Sequence, residues 1–122
     1  MNSEFKDSIP FEARKAEADR IKQKYPDRIP CILEKANKST LKKCDKKKFL
    51  VPNNLTIGQF IYIIRKRIKL APHEAIFLFV NNKILIPTGS VLESVYSDYK
   101  SDDSFLYFVY TNENTFGSLE KN

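Results

Sequence analysis

The sequence predicts an α+β domain in which a mixed four-stranded sheet packs on a helix, with a helical extension at the N-terminus. Three observations lead to this fold class. Residues 76–80 and 105–110 are continuously apolar and have the length of buried strands. A clearly marked amphipathic helix follows Thr56. A charged, helix-like segment between two prolines precedes all of these elements.

The first long helix is predicted over residues 11–25, because Pro10 suits its first turn and Pro26 ends it. Apolar and aromatic side chains fall near one stripe of this helix: Phe11, Ala18, Ile21 and Tyr25. Such a helix is not stable alone and must pack on a larger body. Residues 4–9 add a short helical turn before it.

Two short β-prone runs come next, at residues 29–33 and 49–51. The polar stretch between them, residues 35–48, is long for a hairpin loop and rich in lysine. We interpret the pair as antiparallel strands. Residues 49–51 should form a sheet edge, because the fully apolar runs take the interior places of the sheet.

The second long helix carries a clear start signal. Thr56 and Gln59 have the spacing of a capping box, and Leu55 and Phe60 occupy the positions of a hydrophobic staple. Its apolar residues recur at helical spacing: Ile57, Phe60, Ile61, Ile64 and Ile68. Cations crowd its last turns, where they favour the helix dipole.

A turn is predicted at Asn81 and Asn82, followed by a short helix for which Ser90 to Glu93 has the pattern of a second capping box. The resulting element order is the β-grasp arrangement of ubiquitin, with the first helix added on the far side of the sheet. We therefore divide the chain into a helical extension (1–26), a β-grasp core (27–110) and a mobile tail (111–122).

Charge is distributed unevenly along the 122 residues. Residues 1–70 hold 18 Lys and Arg against 8 Asp and Glu, whereas residues 71–122 hold 3 against 7. The cationic half would attract acidic peptides, anionic lipids or nucleic acid, and charge alone does not choose among them. The two cysteines, Cys31 and Cys44, are too few for a disulfide framework, and no secretory or membrane-spanning segment is evident. These features predict a cytoplasmic protein.

The sequence offers little to an enzyme. His73 is the single histidine and lies outside any cysteine or carboxylate cluster, so we expect no metal site. Three glycines build no phosphate-binding loop, and no nucleophile motif occurs. We therefore expect a non-enzymatic protein that needs no cofactor.

Several runs, in this order along the chain, resemble GABARAP and the autophagy-related ubiquitin-like modifiers related to it. They are KYPDRIP (24–30), EKA (34–36), DKKKFLVP (45–52), LTIGQF (55–60), IRKRI (64–68), FVNN (79–82) and FLY (105–107). The resemblance extends from about Pro10 to Gly117. Two departures concern one loop: residues 83–90 are one residue longer than usual, and Ile86 stands where proline is common.

The resemblance implies conjugation through Gly117, which follows the aromatic Phe116. A dedicated cysteine protease would remove residues 118–122. Activating and conjugating enzymes would then transfer the new carboxylate to phosphatidylethanolamine on the autophagosome membrane. Glycine suits this path because, without a Cβ, it can thread a narrow active site. A diacyl lipid supplies the two chains that stable anchoring needs.

The resemblance also implies a docking face for acidic receptor peptides with aromatic-x-x-aliphatic spacing. Its first pocket would be lined by Glu17, Ile21, Pro30, Ile32, Lys48, Leu50 and Phe105. Its second pocket would be lined by Phe49, Val51, Pro52, Leu55, Phe60 and Ile63. Acidic residues beside the motif would meet the cations Arg28, Lys46, Lys48 and Arg67. A second partner surface would include Phe77 and Phe79.

Two other functions stay open at this point. One is a trafficking adaptor, for instance to tubulin, that keeps the docking face but is never joined to lipid. The other is a basic nucleic-acid-binding domain. The aromatic residues fall mainly in core-like runs and not among the cations, so we expect no nucleic-acid partner.

Overall fold

The computed structural model describes residues 3–113. Its helices are α1 (Glu4–Ser8), α2 (Phe11–Lys24), α3 (Ile57–Arg67) and α4 (Leu92–Tyr99). Its strands are β1 (Arg28–Lys35), β2 (Lys48–Pro52), β3 (Phe77–Val80), β4 (Ile84–Leu85) and β5 (Leu106–Thr111). Thr111 thus belongs to the last strand and not to the tail. Most of the predicted tail, including Phe116 and Gly117, lies outside the described residues.

The five strands form one mixed sheet in the order β2-β1-β5-β3-β4. β1 pairs antiparallel with β2 and parallel with β5, and β3 pairs antiparallel with β5 and β4. The predicted β-grasp arrangement is confirmed, with β2 at one edge. The sheet has one strand more than predicted. The sequence does not predict β4, because its two residues are both exposed and carry no alternating pattern.

The main hydrophobic core lies between one face of the sheet and helices α3 and α4. Phe60 of α3 sits at its centre, with its ring centroid 5.7 Å from that of Phe49 and 5.5 Å from that of Phe108. Cys31 is fully buried in this core, and burial raises the pKa of its thiol. Cys44 packs partly against the same core.

Helix α3 begins as the sequence predicts. The Thr56 side chain accepts a hydrogen bond from the Gln59 N–H, and the Gln59 side chain accepts one from the Thr56 N–H. The second predicted capping box, at Ser90, is wrong. Val91 caps α4 without a side-chain hydrogen bond, and it pairs with Thr56 in an isolated β-bridge. The Ser90 carbonyl accepts instead from the Ile57 N–H at 2.8 Å. A tertiary contact therefore sets the start of α4.

The opposite face of the sheet carries α1 and α2. A small second core forms there from Phe5, Ala18, Ile32, Phe105 and Tyr107. Helix α2 contributes Ala18 from the predicted stripe, with Ile21 partly buried at the margin. Phe11 and Tyr25, at the two ends of that stripe, remain largely exposed. The stripe is therefore buried only in its middle part, at Ala18 and Ile21.

An ion pair beneath α2 fixes this layer. The Arg14 Nε atom lies 2.8 Å from the Asp103 carboxylate, and the side chains of both residues are largely or fully buried. Asp103 also accepts hydrogen bonds from the Tyr107 hydroxyl and the Phe105 N–H. Arg14 donates in addition to the Lys6 and Ile9 carbonyls, so the same guanidinium holds the end of α1.

The connection between β1 and β2, residues 36–47, is well fixed despite its length. Leu41 is buried in the main core, and the Leu33 N–H donates to the Lys47 carbonyl at 2.8 Å.

No helix between residues 3 and 113 is both long and apolar enough to cross a bilayer.

Candidate peptide-docking edge

Strand β2 forms an open edge of the sheet, since within the described residues it pairs with β1 alone. Its side chains alternate between the two faces, as the pleat requires. Phe49 and Val51 are buried toward α3, whereas Lys48 and Leu50 are exposed on the α2 side. An open edge of this kind offers main-chain groups to an added strand and side chains on both of its faces.

The structure brings together the seven residues predicted for the first pocket. Pro30 and Ile32 of β1 lie directly opposite Leu50 and Lys48 of β2, on the same face. Glu17 of α2 joins this group through an ion pair of 2.6 Å with Lys48. Ile21 and Phe105 pack against the same small core as Ile32.

This first pocket has a floor and a rim. The floor is buried: Pro30, Ile32 and Phe105 are covered in the free chain. The accessible part is Leu50, which is 40% exposed, together with the Lys48 and Glu17 side chains. The accessible surface at this pocket is therefore an apolar side chain beside an ion pair, with a buried apolar floor.

The second predicted pocket lies on the other face of β2. Phe49, Val51 and Phe60 belong to the main core, so they form its base. Ile63, one turn along α3 from Phe60, is 39% exposed. Pro52 and Leu55, which lead from β2 into α3, are partly buried, and a hydrogen bond of 3.2 Å joins their backbones. The accessible wall is formed by these last three residues.

The cations predicted to receive acidic groups already have partners in the free chain. Arg67 Nε lies 2.9 Å from Asp45, and this hydrogen bond lowers the pKa of the Asp45 carboxyl. Lys46 Nζ lies 4.6 Å from the centroid of the Phe49 ring. A bound acidic peptide would exchange these partners for its own carboxylates.

In the free chain, the Leu50 carbonyl of β2 already accepts a hydrogen bond from a side chain. Arg28 Nη1 donates to this oxygen at 3.3 Å. The Leu33 N–H donates to the Lys47 carbonyl, so by the alternation of an antiparallel pair the backbone groups of Leu50 face away from β1, toward the open edge. The carbonyl is therefore satisfied by a side chain that an incoming peptide N–H can replace.

The two phenylalanines of the predicted second surface differ. Phe79 is 1% exposed and packs with Ala36 and Val109 inside the sheet layer. Phe77 at the start of β3 is only partly buried. Of this pair, only Phe77 has accessible surface in the structure.

Sequence reasoning missed Phe5, which lies beside the first pocket. Its ring centroid is 5.3 Å from that of Phe105, and Lys48 Nζ lies 6.0 Å from the Phe5 centroid. The Glu34 carboxylate holds Phe5 in place by accepting from the Phe5 N–H at 3.1 Å and from the Ser3 hydroxyl at 2.7 Å. These contacts span about thirty residues of sequence, so no local pattern marks them.

The sequence of this chain matches a known protein family. The family described as "Autophagy protein Atg8 ubiquitin like" matches residues 13–117. The chain belongs to the Atg8 family. The matched region includes both sides of the β2 edge and ends at the glycine predicted to carry the conjugate.

Individual Atg8 relatives match over almost their whole length. "Autophagy-related protein 8" of Colletotrichum lindemuthianum is 58% identical over 120 residues, covering 98% of each chain. The protein of the same name from Coccidioides immitis is 59% identical over 118 residues, covering 97% of this chain and all of that one. The crystal structure of Trypanosoma brucei ATG8 superposes with a TM-score of 0.86 at 39% identity, covering 91% of this chain and 95% of that one. The chain is thus a ubiquitin-like modifier of autophagy.

Proposed function

We propose that this Atg8 chain is trimmed after Gly117 and joined through that residue to phosphatidylethanolamine, and that its β2 edge then recruits receptor peptides to the autophagosome membrane. The observation that carries the proposal is the open β2 edge, with one apolar surface on each face of the same strand. Before conjugation the chain would be cytoplasmic.

Recruitment would proceed by strand addition. An extended peptide pairs with β2, and its alternating side chains reach opposite faces of the sheet. An aromatic residue enters beside Leu50, and an aliphatic residue three positions later packs on Ile63 and Leu55. Main-chain pairing supplies affinity for any extended peptide, so the two surfaces would provide the selectivity.

Charge would favour acidic peptides at this edge. Arg28, Lys46, Lys48 and Arg67 lie along or beside β2, and each is held by a contact at the protein surface. Surface ion pairs contribute little to stability, because water and salt screen them. Exchanging the Asp45 and Glu17 carboxylates for those of a peptide therefore costs little.

Conjugation would use the Gly117 carboxyl group. A cysteine protease hydrolyses the bond between Gly117 and Ser118, which frees a carboxylate. An activating enzyme transfers AMP from ATP to that carboxylate and releases pyrophosphate, and an enzyme thiol then displaces AMP to form a thioester. The headgroup amine of phosphatidylethanolamine then displaces the thiol and forms an amide. The match to the Atg8 family up to residue 117 supports this position.

The docking proposal is tested with a labelled acidic peptide of aromatic-x-x-aliphatic spacing. Leu50→Ala and Ile63→Ala each remove exposed side-chain surface without opening the core. Each should weaken binding by about 30-fold, which corresponds to the ~2 kcal/mol of an interface hot spot. Tyr62→Ala is the matched control, because Tyr62 is 59% exposed on the same helix as Ile63. Equal affinity of all three variants and the parent chain would refute the site.

The conjugation proposal is tested with Gly117→Ala in a reaction reconstituted with protease, activating enzyme, conjugating enzyme and phosphatidylethanolamine vesicles. We expect the lipid-linked band of faster gel mobility to be lost. Gly89→Ala serves as the control, because a Cβ at Gly89 would meet nothing within 4 Å. Normal lipid attachment in the Gly117→Ala chain would contradict the mechanism.

A further inference from the structure

The loop between β1 and β2 (residues 36–47, the lysine loop) carries five lysines and one aspartate. We propose that this loop contacts anionic phospholipid headgroups once the chain is attached to a membrane by its C-terminus. The inference rests on the proposed function, because the anchor at Gly117 brings the lipid surface to the loop.

Sheet topology places the lysine loop beside the tail. β1 and β5 run parallel, and Lys35 at the end of β1 lies opposite Tyr110 near the end of β5. The loop that follows β1 and the tail that follows β5 therefore leave from the same end of the sheet.

Hydrogen bonds fix the loop against the base of the tail. The Tyr110 hydroxyl donates to the Lys42 carbonyl at 2.7 Å and accepts from the Cys44 N–H at 2.8 Å. The Asn112 amide donates to the Thr40 hydroxyl at 2.7 Å. The loop thus holds a fixed position relative to Asn112, the residue from which the tail departs.

The length of the tail limits how far the loop can be from the anchored lipid. Gly117 lies five residues after Asn112, and five residues span at most about 18 Å when fully extended. A tether this short keeps the effective concentration of headgroups at the loop high. Attraction between the loop and the membrane then acts within one to two screening lengths of about 10 Å.

Three of the five lysines have charge to offer outside the docking edge, to which Lys46 belongs through its contact with the Phe49 ring. Lys38 and Lys42 are exposed, and neither forms an ion pair within residues 3–113. Lys43 lies 3.7 Å from Glu4, but both side chains are mostly exposed, so solvent screens this pair. Lys47 is different, because it lies between the Glu4 and Glu34 carboxylates. Exposed, flexible ammonium groups suit the diffuse charge of a lipid surface.

The sequence of the loop favours lipid over nucleic acid. Residues 36–47 contain no aromatic side chain on which a base could stack. The acidic groups at this end of the sheet are Glu4, Asp7, Glu34, Asp45 and Glu113, and Lys47 lies against two of them, Glu4 and Glu34. The Arg67 side chain holds Asp45, which leaves the loop cationic on balance.

The first experiment supplies the anchor without the conjugating enzymes. The full chain, extended by six histidines after Asn122, is held on vesicles through a nickel-chelating lipid. A neutral acetylating reagent then reports how fast each lysine reacts, read by mass spectrometry. With about 30 mol% phosphatidylserine in phosphatidylcholine, Lys38, Lys42 and Lys43 should react about fivefold more slowly than on phosphatidylcholine alone. Lys24, Lys83 and Lys100, at the opposite end of the sheet, should react equally on both.

The second experiment uses the untethered full chain and co-sedimentation with the same phosphatidylserine vesicles. The K38Q/K42Q/K43Q variant should lower the partition coefficient by more than about tenfold. K24Q/K83Q/K100Q removes the same charge elsewhere and should change it little. Equal losses in the two variants would assign the attraction to net charge and overturn the proposal.

Two further outcomes would also overturn it. One is unchanged reactivity of the three loop lysines on tethered phosphatidylserine vesicles. The other is a larger loss of affinity for an RNA oligonucleotide than for vesicles in K38Q/K42Q/K43Q, which would assign the loop to nucleic acid. Neither experiment depends on conjugation. If the chain is conjugated at Gly117 but the loop lysines are not protected from acetylation, only this inference is rejected. If the loop lysines are protected but the chain is not conjugated, only the proposed function is rejected.

Discussion

Asp103 has no exposed surface, and its carboxylate receives hydrogen bonds from Arg14, Tyr107 and the Phe105 backbone. Arg14 and Asp103 are 89 positions apart in sequence, so no pattern of residues predicts their contact. In the sequence Asp103 resembles its neighbour Asp102, and only the fold separates a buried carboxylate from a solvated one.

Asp103→Asn should destabilise the protein strongly, because it leaves the Arg14 guanidinium buried without its counter-charge. Removing one partner of a buried ion pair typically lowers the unfolding free energy by about 3–5 kcal/mol. Asp102→Asn, at the exposed neighbouring position, should change it by less than about 0.5 kcal/mol. Urea denaturation measures both. Similar midpoints for the two variants would show that the buried pair contributes nothing.

The same carboxylate should shape the acid response. Burial raises the pKa of Asp103, but hydrogen bonds from Tyr107, Arg14 and Phe105 outweigh it and leave this pKa below its ordinary value. Its stabilising contribution is therefore complete above the unfolded-state value of about 4 and is lost as pH falls through the lower folded-state value. The unfolding free energy of the parent chain should fall between pH 5 and about 2 more steeply than that of Asp103→Asn. Parallel curves would contradict this assignment.

At the scale of single elements, the sequence predicts best where the signal is local. The capping box of α3 is found as predicted because Thr56 and Gln59 are three residues apart and interact within one turn. The same pattern fails at Ser90, where the Ile57 backbone takes the carbonyl and Val91 pairs with Thr56. The edge position of β2 follows from sheet-wide hydrophobicity, and that prediction is also confirmed.

For the docking edge, the sequence and its family resemblance predict the lining residues, but not how far each is buried or which other residues it contacts. The structure shows that Phe49, Val51 and Phe60 belong to the core and that Lys48 and Glu17, both predicted for the first pocket, form an ion pair. It also adds Phe5, held by Glu34 from a distant strand. These contacts depend on burial and on pairing between residues far apart in sequence, and a local sequence pattern predicts neither.

Helix α1 should behave as a separately detachable element, since Phe5 supplies its one buried side chain. Phe5→Ala should speed amide hydrogen exchange in residues 4–9 and lower the unfolding free energy by about 3 kcal/mol or less. The loss stays at the low end of Phe→Ala core values because α1 can undock while the rest stays folded. Phe11→Ala, at a largely exposed phenylalanine, is the control. Unchanged exchange in α1 after Phe5→Ala would show that Phe5 does not hold this helix.

At the scale of the whole molecule, the two strands contributed by the cationic first 70 residues, β1 and β2, lie side by side at one edge of the sheet. The cationic first 70 residues include the β2 edge and the lysine loop, and the later residues are mildly acidic. Such an arrangement steers acidic partners toward one side of the protein.

The association rate of an acidic receptor peptide should therefore fall steeply as salt rises, while its dissociation rate changes little. Electrostatic steering acts mainly on encounter, and the apolar contacts at Leu50 and Ile63 persist at high salt. Stopped-flow fluorescence at low and at physiological ionic strength measures both rates. A salt effect confined to dissociation, with an association rate that does not change, would contradict steering.

The most direct test of the central claim is the intact mass of this chain recovered from the membrane fraction of starved cells that contain its processing and conjugating enzymes. We predict a polypeptide that ends at Gly117, lacks residues 118–122 and carries phosphatidylethanolamine on its terminal carboxyl group. Recovery from those membranes of only the full 122-residue chain without lipid would contradict the account.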